Sequence, residues 1–365
     1  MVTNSLVSLR RLGQSPWYDN IDRTLIENGE LKALFDIGVT GVTSNPSIFE
    51  KAINGSTLYD ASINALAAQG KTALEICDLL TIQDVQSAAD LLLDVYRESD
   101  GLDGYVSLEV NPEFAHDAHK TIEHAAALWD QVDRPNLMIK VPGTKEGPEA
   151  IEALIRRGIN INVTLLFSRK HYAACAAAYT DGLKHRQADG APIEGVCSVA
   201  SVFISRVDTA VDKRLDAVNH PELKGKTAVA NAKMIYQDFK SWFFGDAFQD
   251  LSQQGGRIQR VLWGSTSTKN PDYSDVKYVE ELIGKDTVNT LPHKTLEAFV
   301  DHGRAALTLE EGLEEAGKHL KRIQTLDLDL DEICDEIQEQ GVDAFAASFR
   351  ELIASIEKKA GVARD

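Results

Sequence analysis

Eight short apolar or β-branched runs, separated by stretches of helical period, constrain this chain more than any other feature of its sequence. The runs are Pro16 to Asn20, Gly38 to Thr43, Tyr105 to Val110, Leu137 to Val141, Ile159 to Leu166, Gly195 to Val202, Arg260 to Gly264 and Thr287 to Leu291. Between them lie the helical patterns Asp84 to Glu98, Glu113 to Trp129, Gly147 to Arg157, Arg169 to Leu183, Ile204 to Val218 and Thr227 to Phe244. Strands alternating with helices imply βαβ units and a parallel sheet. Eight of them in one pass predict an α/β chain of the closed (β/α)8 TIM-type barrel. The competing arrangement is an open doubly wound sheet, which usually carries a glycine-rich phosphate loop after its first strand. No GxGxxG is present, and Gly143-Thr144-Lys145-Glu146-Gly147 lacks the Gly-Lys-Ser/Thr that completes a P-loop.

At 365 residues the chain exceeds a minimal barrel, and two insertions account for the excess. Residues 50–100 read as helical padding after the second strand. The tail from about 309 to 365 reads as two or three amphipathic helices, an extension of one barrel domain spanning residues 1–365. Within it, Thr325-Leu326-Asp327-Leu328-Asp329-Leu330-Asp331 alternates strictly and reads as an extended connection into a helix opening near Asp331.

In a barrel of this kind functional groups stand at the C-terminal ends of the strands, around one mouth. The polar residues at those ends form a coherent set: Asp19; Thr43-Ser44-Asn45; Ser107 and Glu109; Lys140; Asn162 and Thr164; Ser198 and Ser201, then Phe203 and Arg206; and Ser265-Thr266-Ser267-Thr268-Lys269. Alternation puts both members of Ser107/Glu109 and of Asn162/Thr164 on one face of their strands. If that face is the interior, unpaired polar groups there are costly, so such pairs point to a wet, functional lumen.

Lys140 is the most informative of these. It closes the run Asn136-Leu137-Met138-Ile139-Lys140-Val141, which Pro142-Gly143 terminates. Burial disfavours the charged ammonium of a lysine, and the free amine is the form that attacks a ketone to make a Schiff base. A lysine snorkelling from the strand end, or half of an ion pair, fits the same segment. Asn45-Pro46-Ser47 also suits a helix start, Glu109 an outward charge, Arg206 a surface ion pair and Ser265 to Thr268 a solvated loop.

Composition narrows the partners. The net charge of −18 repels nucleic acid and anionic membranes, so neither is expected. Any phosphate site must be a local cluster of cations and backbone N–H groups. No run approaches 18 apolar residues and no secretory signal is visible at the N-terminus. Four dispersed cysteines read as the buried thiols of a cytoplasmic protein. The histidines show no HExxH spacing, so no metal is expected, and no GxSxG offers a nucleophilic serine. Monomer and homodimer both suit this composition.

The motifs carry a resemblance. Gly41-Val42-Thr43-Ser44-Asn45-Pro46-Ser47-Ile48-Phe49 resembles the first signature of the transaldolases, and Leu137-Met138-Ile139-Lys140-Val141-Pro142-Gly143-Thr144 the signature around their Schiff-base lysine. Asn162-Val163-Thr164-Leu165-Leu166-Phe167-Ser168 and Ser201-Val202-Phe203-Ile204-Ser205-Arg206 are similar to the family's fifth and sixth strands. The matches run in family order from Asp19 to about Lys269.

The resemblance implies a cofactor-free barrel enzyme with sugar phosphate substrates. It would move a dihydroxyacetone unit from a ketose phosphate to an aldose phosphate in the non-oxidative pentose phosphate pathway. By position, Lys140 would form the ketimine, Glu109 and Thr164 would hold the catalytic water, and Asp19 would exchange a proton with the C4 hydroxyl. Asn45, Ser107, Asn162, Ser201 and Phe203 would line the substrate, with Arg206, Ser265, Thr266 and Lys269 toward its phosphate. Here the chain departs from the family pattern. Many transaldolases place an arginine shortly after the seventh strand, where this chain has Lys269, a point charge without the planar fork.

Overall fold

The computed structural model describes residues 4–361. Eight strands, β1 (Gln14–Tyr18), β2 (Gly41–Thr43), β3 (Tyr105–Glu109), β4 (Leu137–Pro142), β5 (Ile161–Leu166), β6 (Ser198–Phe203), β7 (Arg260–Gly264) and β8 (Thr287–Leu291), pair in sequence order into a closed, all-parallel barrel. β8 returns to β1 through Gln14↔Thr287 to Tyr18↔Leu291. The predicted (β/α)8 barrel is therefore the observed one. β1 lies two residues earlier than the run that predicted it, and β2 is only the last three residues of its run.

Each strand is buried on both faces, which is why the strands read as nearly continuous apolar runs. The outward side chains join the helices in one large core. The inward side chains change character with height. Trp17, Tyr105, Met138, Cys197, Val199, Leu262 and Val288 make a separate apolar plug low in the barrel. One inward step higher stand Asp19, Ser107, Lys140 and Ser201, two residues along their strands from members of the plug.

Below the plug a polar network spans the N-terminal end. Asp103 accepts hydrogen bonds from Ser15 Oγ at 2.7 Å and Trp17 Nε1 at 3.0 Å. Arg260 Nη2 stands 3.2 Å from Asp103 Oδ1, and Arg260 Nη1 donates to Ser15 Oγ at 2.8 Å. Both charges are buried and hydrogen-bonded beyond their own contact, the condition under which a buried ion pair is tolerated.

The insertion after β2 consists of helices Pro46–Gly55, Asp60–Ala68 and Ala73–Glu98, the last opened by a Thr72/Glu75 capping box. Two further helices, Arg23–Glu27 and Glu30–Asp36, join β1 to β2, where no helix was predicted. The tail forms two helices, Leu313–Gln324 and Leu330–Lys359. Its alternating segment is a turn rather than the extended connection predicted. Asp327 takes φ 57° and Asp329 caps the last helix. The alternation has another origin: Leu326, Leu328 and Leu330 each pack against the core while the backbone turns. No helix among the described residues is long and apolar enough to cross a membrane.

Candidate active site

A cavity of about 300 Å³ opens at the C-terminal end of the barrel. Asp19, Asn45, Lys140, Ser201, Phe203, Arg206, Ser265 and Lys269, all predicted from the sequence, line it. Lys140 stands on β4 between Glu109 of β3 and Asn162 of β5, in direct register with both. Its side chain is 5% exposed, and Nζ donates to the Ser44 carbonyl at 3.0 Å. Nζ lies 3.9 Å from Glu109 Oε2, beyond hydrogen-bond length.

Both carboxylates at this end are perturbed in the same sense. Burial pushes Glu109 up to about 7, opposed by Lys140 and assisted by Asp19. Burial also raises Asp19, opposed by Lys140 and by the hydrogen bond that Thr43 Oγ1 donates to Asp19 Oδ1 at 2.7 Å. Glu109 Oε2 and Thr164 Oγ1 are both buried without a protein hydrogen-bond partner. Buried polar atoms are seldom left so in native proteins, and each is ordinarily satisfied by a water or a ligand.

A hydrogen-bonded relay runs along the barrel interior at the level of the lysine. Ser201 Oγ donates to Asn162 Oδ1 at 2.6 Å, and Asn162 Nδ2 donates to Ser107 Oγ at 3.0 Å. Asn162 and Ser107 lie outside the cavity lining and fix the orientation of Ser201, which lines it. Asn45 serves both readings of its motif. It lines the cavity, and its Oδ1 accepts from Ile48 N at 3.0 Å as the cap of the helix that begins at Pro46.

Cations ring the opening of an otherwise acidic chain. Arg206 follows β6, half-buried, with its guanidinium 5.7 Å from the Phe203 ring centroid. No carboxylate pairs with it among the described residues, and burial lowers its pKa. Lys269 Nζ donates to Ser267 Oγ at 2.8 Å, its one hydrogen bond among the described residues, at an exposed position. The loops after β6 and β7 are tied together by Ser205 and Ser265, whose hydroxyls lie 2.8 Å apart. Thr266 stands apart from its predicted partners. It is fully buried outside the cavity lining and donates to the Thr290 carbonyl at 3.3 Å, pinning the β7 loop to β8.

Among the further lining residues, sequence reasoning did not pick out Lys51, Thr290 or Phe345. Thr290 was findable, because it alternates inward two residues after Val288 of the plug. Phe345 was not. It belongs to the last helix, and no local pattern shows that this helix crosses the mouth.

Fold and cavity together define a closed (β/α)8 barrel with a buried lysine flanked by carboxylates at its C-terminal end. The chain belongs to the Transaldolase/Fructose-6-phosphate aldolase family, whose sequence profile matches residues 16–356. It is accordingly an enzyme that transfers aldehyde or ketone residues. It is 44% identical over 373 residues to a protein named Transaldolase from Trichodesmium erythraeum, with 98% of each chain covered. A Transaldolase from Thiobacillus denitrificans is 46% identical over 357 residues, covering 97% of this chain and 99% of the relative. A Transaldolase from Mycobacterium tuberculosis is 42% identical over 355 residues, covering 96% and 95%.

Proposed function

We propose that this chain is a transaldolase of the non-oxidative pentose phosphate pathway, acting in the cytoplasm. The donor is a ketose phosphate, sedoheptulose 7-phosphate or fructose 6-phosphate. The acceptor is an aldose phosphate, glyceraldehyde 3-phosphate or erythrose 4-phosphate. The observation that carries this reading is Lys140 itself: buried, hydrogen-bonded among the described residues to the Ser44 carbonyl alone, 3.9 Å from Glu109, and sharing the cavity with Asp19.

Lys140 Nζ attacks the C2 carbonyl of the donor, and the carbinolamine loses water to give a protonated ketimine. The water held between Glu109 Oε2 and Thr164 Oγ1 carries protons in that step and attacks the ketimine in the final hydrolysis. A carboxyl with its midpoint near 7 both gives and takes a proton at neutral pH. Asp19 removes the proton of the C4 hydroxyl. The C3–C4 bond breaks, its electron pair flows into the protonated imine, and the aldose leaves. The remaining three-carbon enamine adds to the acceptor aldehyde, and Asp19 returns the proton to the new hydroxyl. Asn45 and Ser201 hold the hydroxyls of the three-carbon unit, with Ser201 oriented by Asn162 and Ser107. Held in this way, the enamine keeps its alignment until an acceptor arrives.

Arg206 takes the phosphate, its free fork matching phosphate oxygens. Lys269 and Lys51 add charge at the rim.

The test is borohydride reduction in the presence of fructose 6-phosphate, followed by peptide mapping. One adduct is expected, on Lys140; an adduct elsewhere, or none, overturns the reading. Release of the three-carbon unit to water, as in the aldolases of the same family, is the competing outcome. Those relatives are much shorter and tend to carry Gln where this chain has Glu109. Fructose 6-phosphate alone should therefore yield little free dihydroxyacetone, and erythrose 4-phosphate should release rapid turnover.

A further inference from the structure

Within β5, next to Thr164, the backbone does something leucine rarely does. Leu165 takes φ 61°, in the left-handed region. The other non-glycine residues with positive φ among the described residues are Asp100, Asp133, Asn219, Ser265, Asp286 and Asp327, all short and polar. Asp and Asn tolerate that region, whereas a bulky apolar side chain in it is a strained outlier that its surroundings must hold. The strain coincides with an irregularity in pairing: Val163 pairs Ala200, but Leu166 pairs Val202. Three steps on β5 thus answer two on β6, a bulge of the kind that re-aims a side chain. The residues inside it are Thr164 and Leu165.

The last helix supplies what holds it. Gln338 is 5% exposed, and its Nε2 donates to the Leu165 carbonyl at 2.8 Å and to the Gly143 carbonyl at 2.9 Å. The Gly143 N–H in turn donates to the Thr164 carbonyl at 2.8 Å. One amide therefore bridges the ends of the two strands that carry Lys140 and Thr164. Three residues on, Gly341 packs the same helix against the bulge. A Cβ there would stand 2.9 Å from Leu165 Cδ2 and 3.2 Å from Arg206 Nη1. One turn further, Phe345 lines the cavity.

We propose that Gln338 is a positioning residue: by clamping the Leu165 and Gly143 carbonyls it holds the β5 bulge and aims the Thr164 hydroxyl at the water shared with Glu109. This rests on the assignment of that water to Thr164 and Glu109. Without the two donors, the Leu165 carbonyl is free to rotate, the strand relaxes toward extended geometry, and Thr164 turns with it.

The experiment compares Gln338→Met, which keeps volume but removes both donors, with the native enzyme and with Gln338→Met/Leu165→Gly. Glycine occupies positive φ without strain, so it makes the bulge self-supporting. Gln338→Met should lower kcat for transfer between fructose 6-phosphate and erythrose 4-phosphate by about ten- to a hundred-fold with KM nearly unchanged. The double variant should recover most of that loss. If the glycine version fails to fold, Leu165→Asn takes its place, since asparagine also tolerates the left-handed region. A kcat within two-fold of native for Gln338→Met, or no recovery in the double variant, overturns the proposal. Thr164→Val separates the two levels of inference. If it leaves kcat unchanged, the water assignment fails; if it lowers kcat while Gln338→Met does not, only the clamp fails.

Discussion

Lys140 Nζ and Glu109 Oε2 face each other across the β3–β4 register at 3.9 Å, too far to share a hydrogen bond and close enough to feel each other's charge. Contact would lock the pair as an ammonium and a carboxylate. The separation leaves Glu109 a carboxyl that burial has raised to about 7.

That shift makes stability depend on pH. The unfolded chain titrates this group near 4.3, so between about 4.3 and 7 the folded state binds more protons than the unfolded one. The stabilisation it contributes is full below that window and is lost as pH rises through it. Glu109→Gln stays neutral throughout. Calorimetric melting temperatures of the native protein should fall relative to Glu109→Gln as pH rises from about 5 to 8, and parallel profiles would contradict the assignment.

Asp19 should be separable from the lysine. Asp19→Asn keeps a group of the same shape against Thr43 but cannot take the C4 proton. We expect kcat to fall by about 10²- to 10⁴-fold, while borohydride still traps the donor on Lys140. Loss of trapping would instead assign Asp19 to Schiff-base formation.

Arg206→Ala removes the cation that lies over Phe203 without a carboxylate partner. A hydrogen bond to a charged group contributes about 1.5–3 kcal/mol, so KM for fructose 6-phosphate should rise roughly ten- to a hundred-fold. KM for unphosphorylated donors should hardly change, and steady-state kinetics on paired substrates measure the contrast. An equal rise for both would move the phosphate site elsewhere.

The tail should prove inseparable from the barrel. Ile333, Cys334, Phe349 and Ile356 belong to the same buried core as the strands' outward faces. We propose that the chain folds as one unit. A version ending at Thr308 should then lose the cooperative thermal transition by circular dichroism, whereas a retained sharp transition would make the tail an appendage.

The barrel was legible because strands buried on both faces leave apolar runs, and β7 and β8 match their runs residue for residue. The site was legible where function sits on strand ends: Lys140, Ser201 and Asp19 are placed by the strand that carries them. What stayed hidden depends on contacts distant in sequence. Gln338 touches Leu165 across 173 residues, and nothing near it announces a donor. Thr266 misled for the opposite reason, since a hydroxyl in a loop reads the same whether it faces a ligand or a backbone carbonyl. The two helices between β1 and β2 were missed because segments of five and seven residues cover fewer than two helical turns, too few to show a repeating face.

The plugged floor has a kinetic consequence. The layer of Trp17, Tyr105 and Met138 over the Arg260–Asp103 network separates the cavity from the N-terminal end of the barrel. In the proposed reaction, the aldose released from the donor would leave through the C-terminal mouth, by the path its successor takes. Two aldoses would then contend for one vestibule while the three-carbon fragment waits behind them, and excess acceptor would obstruct the next donor.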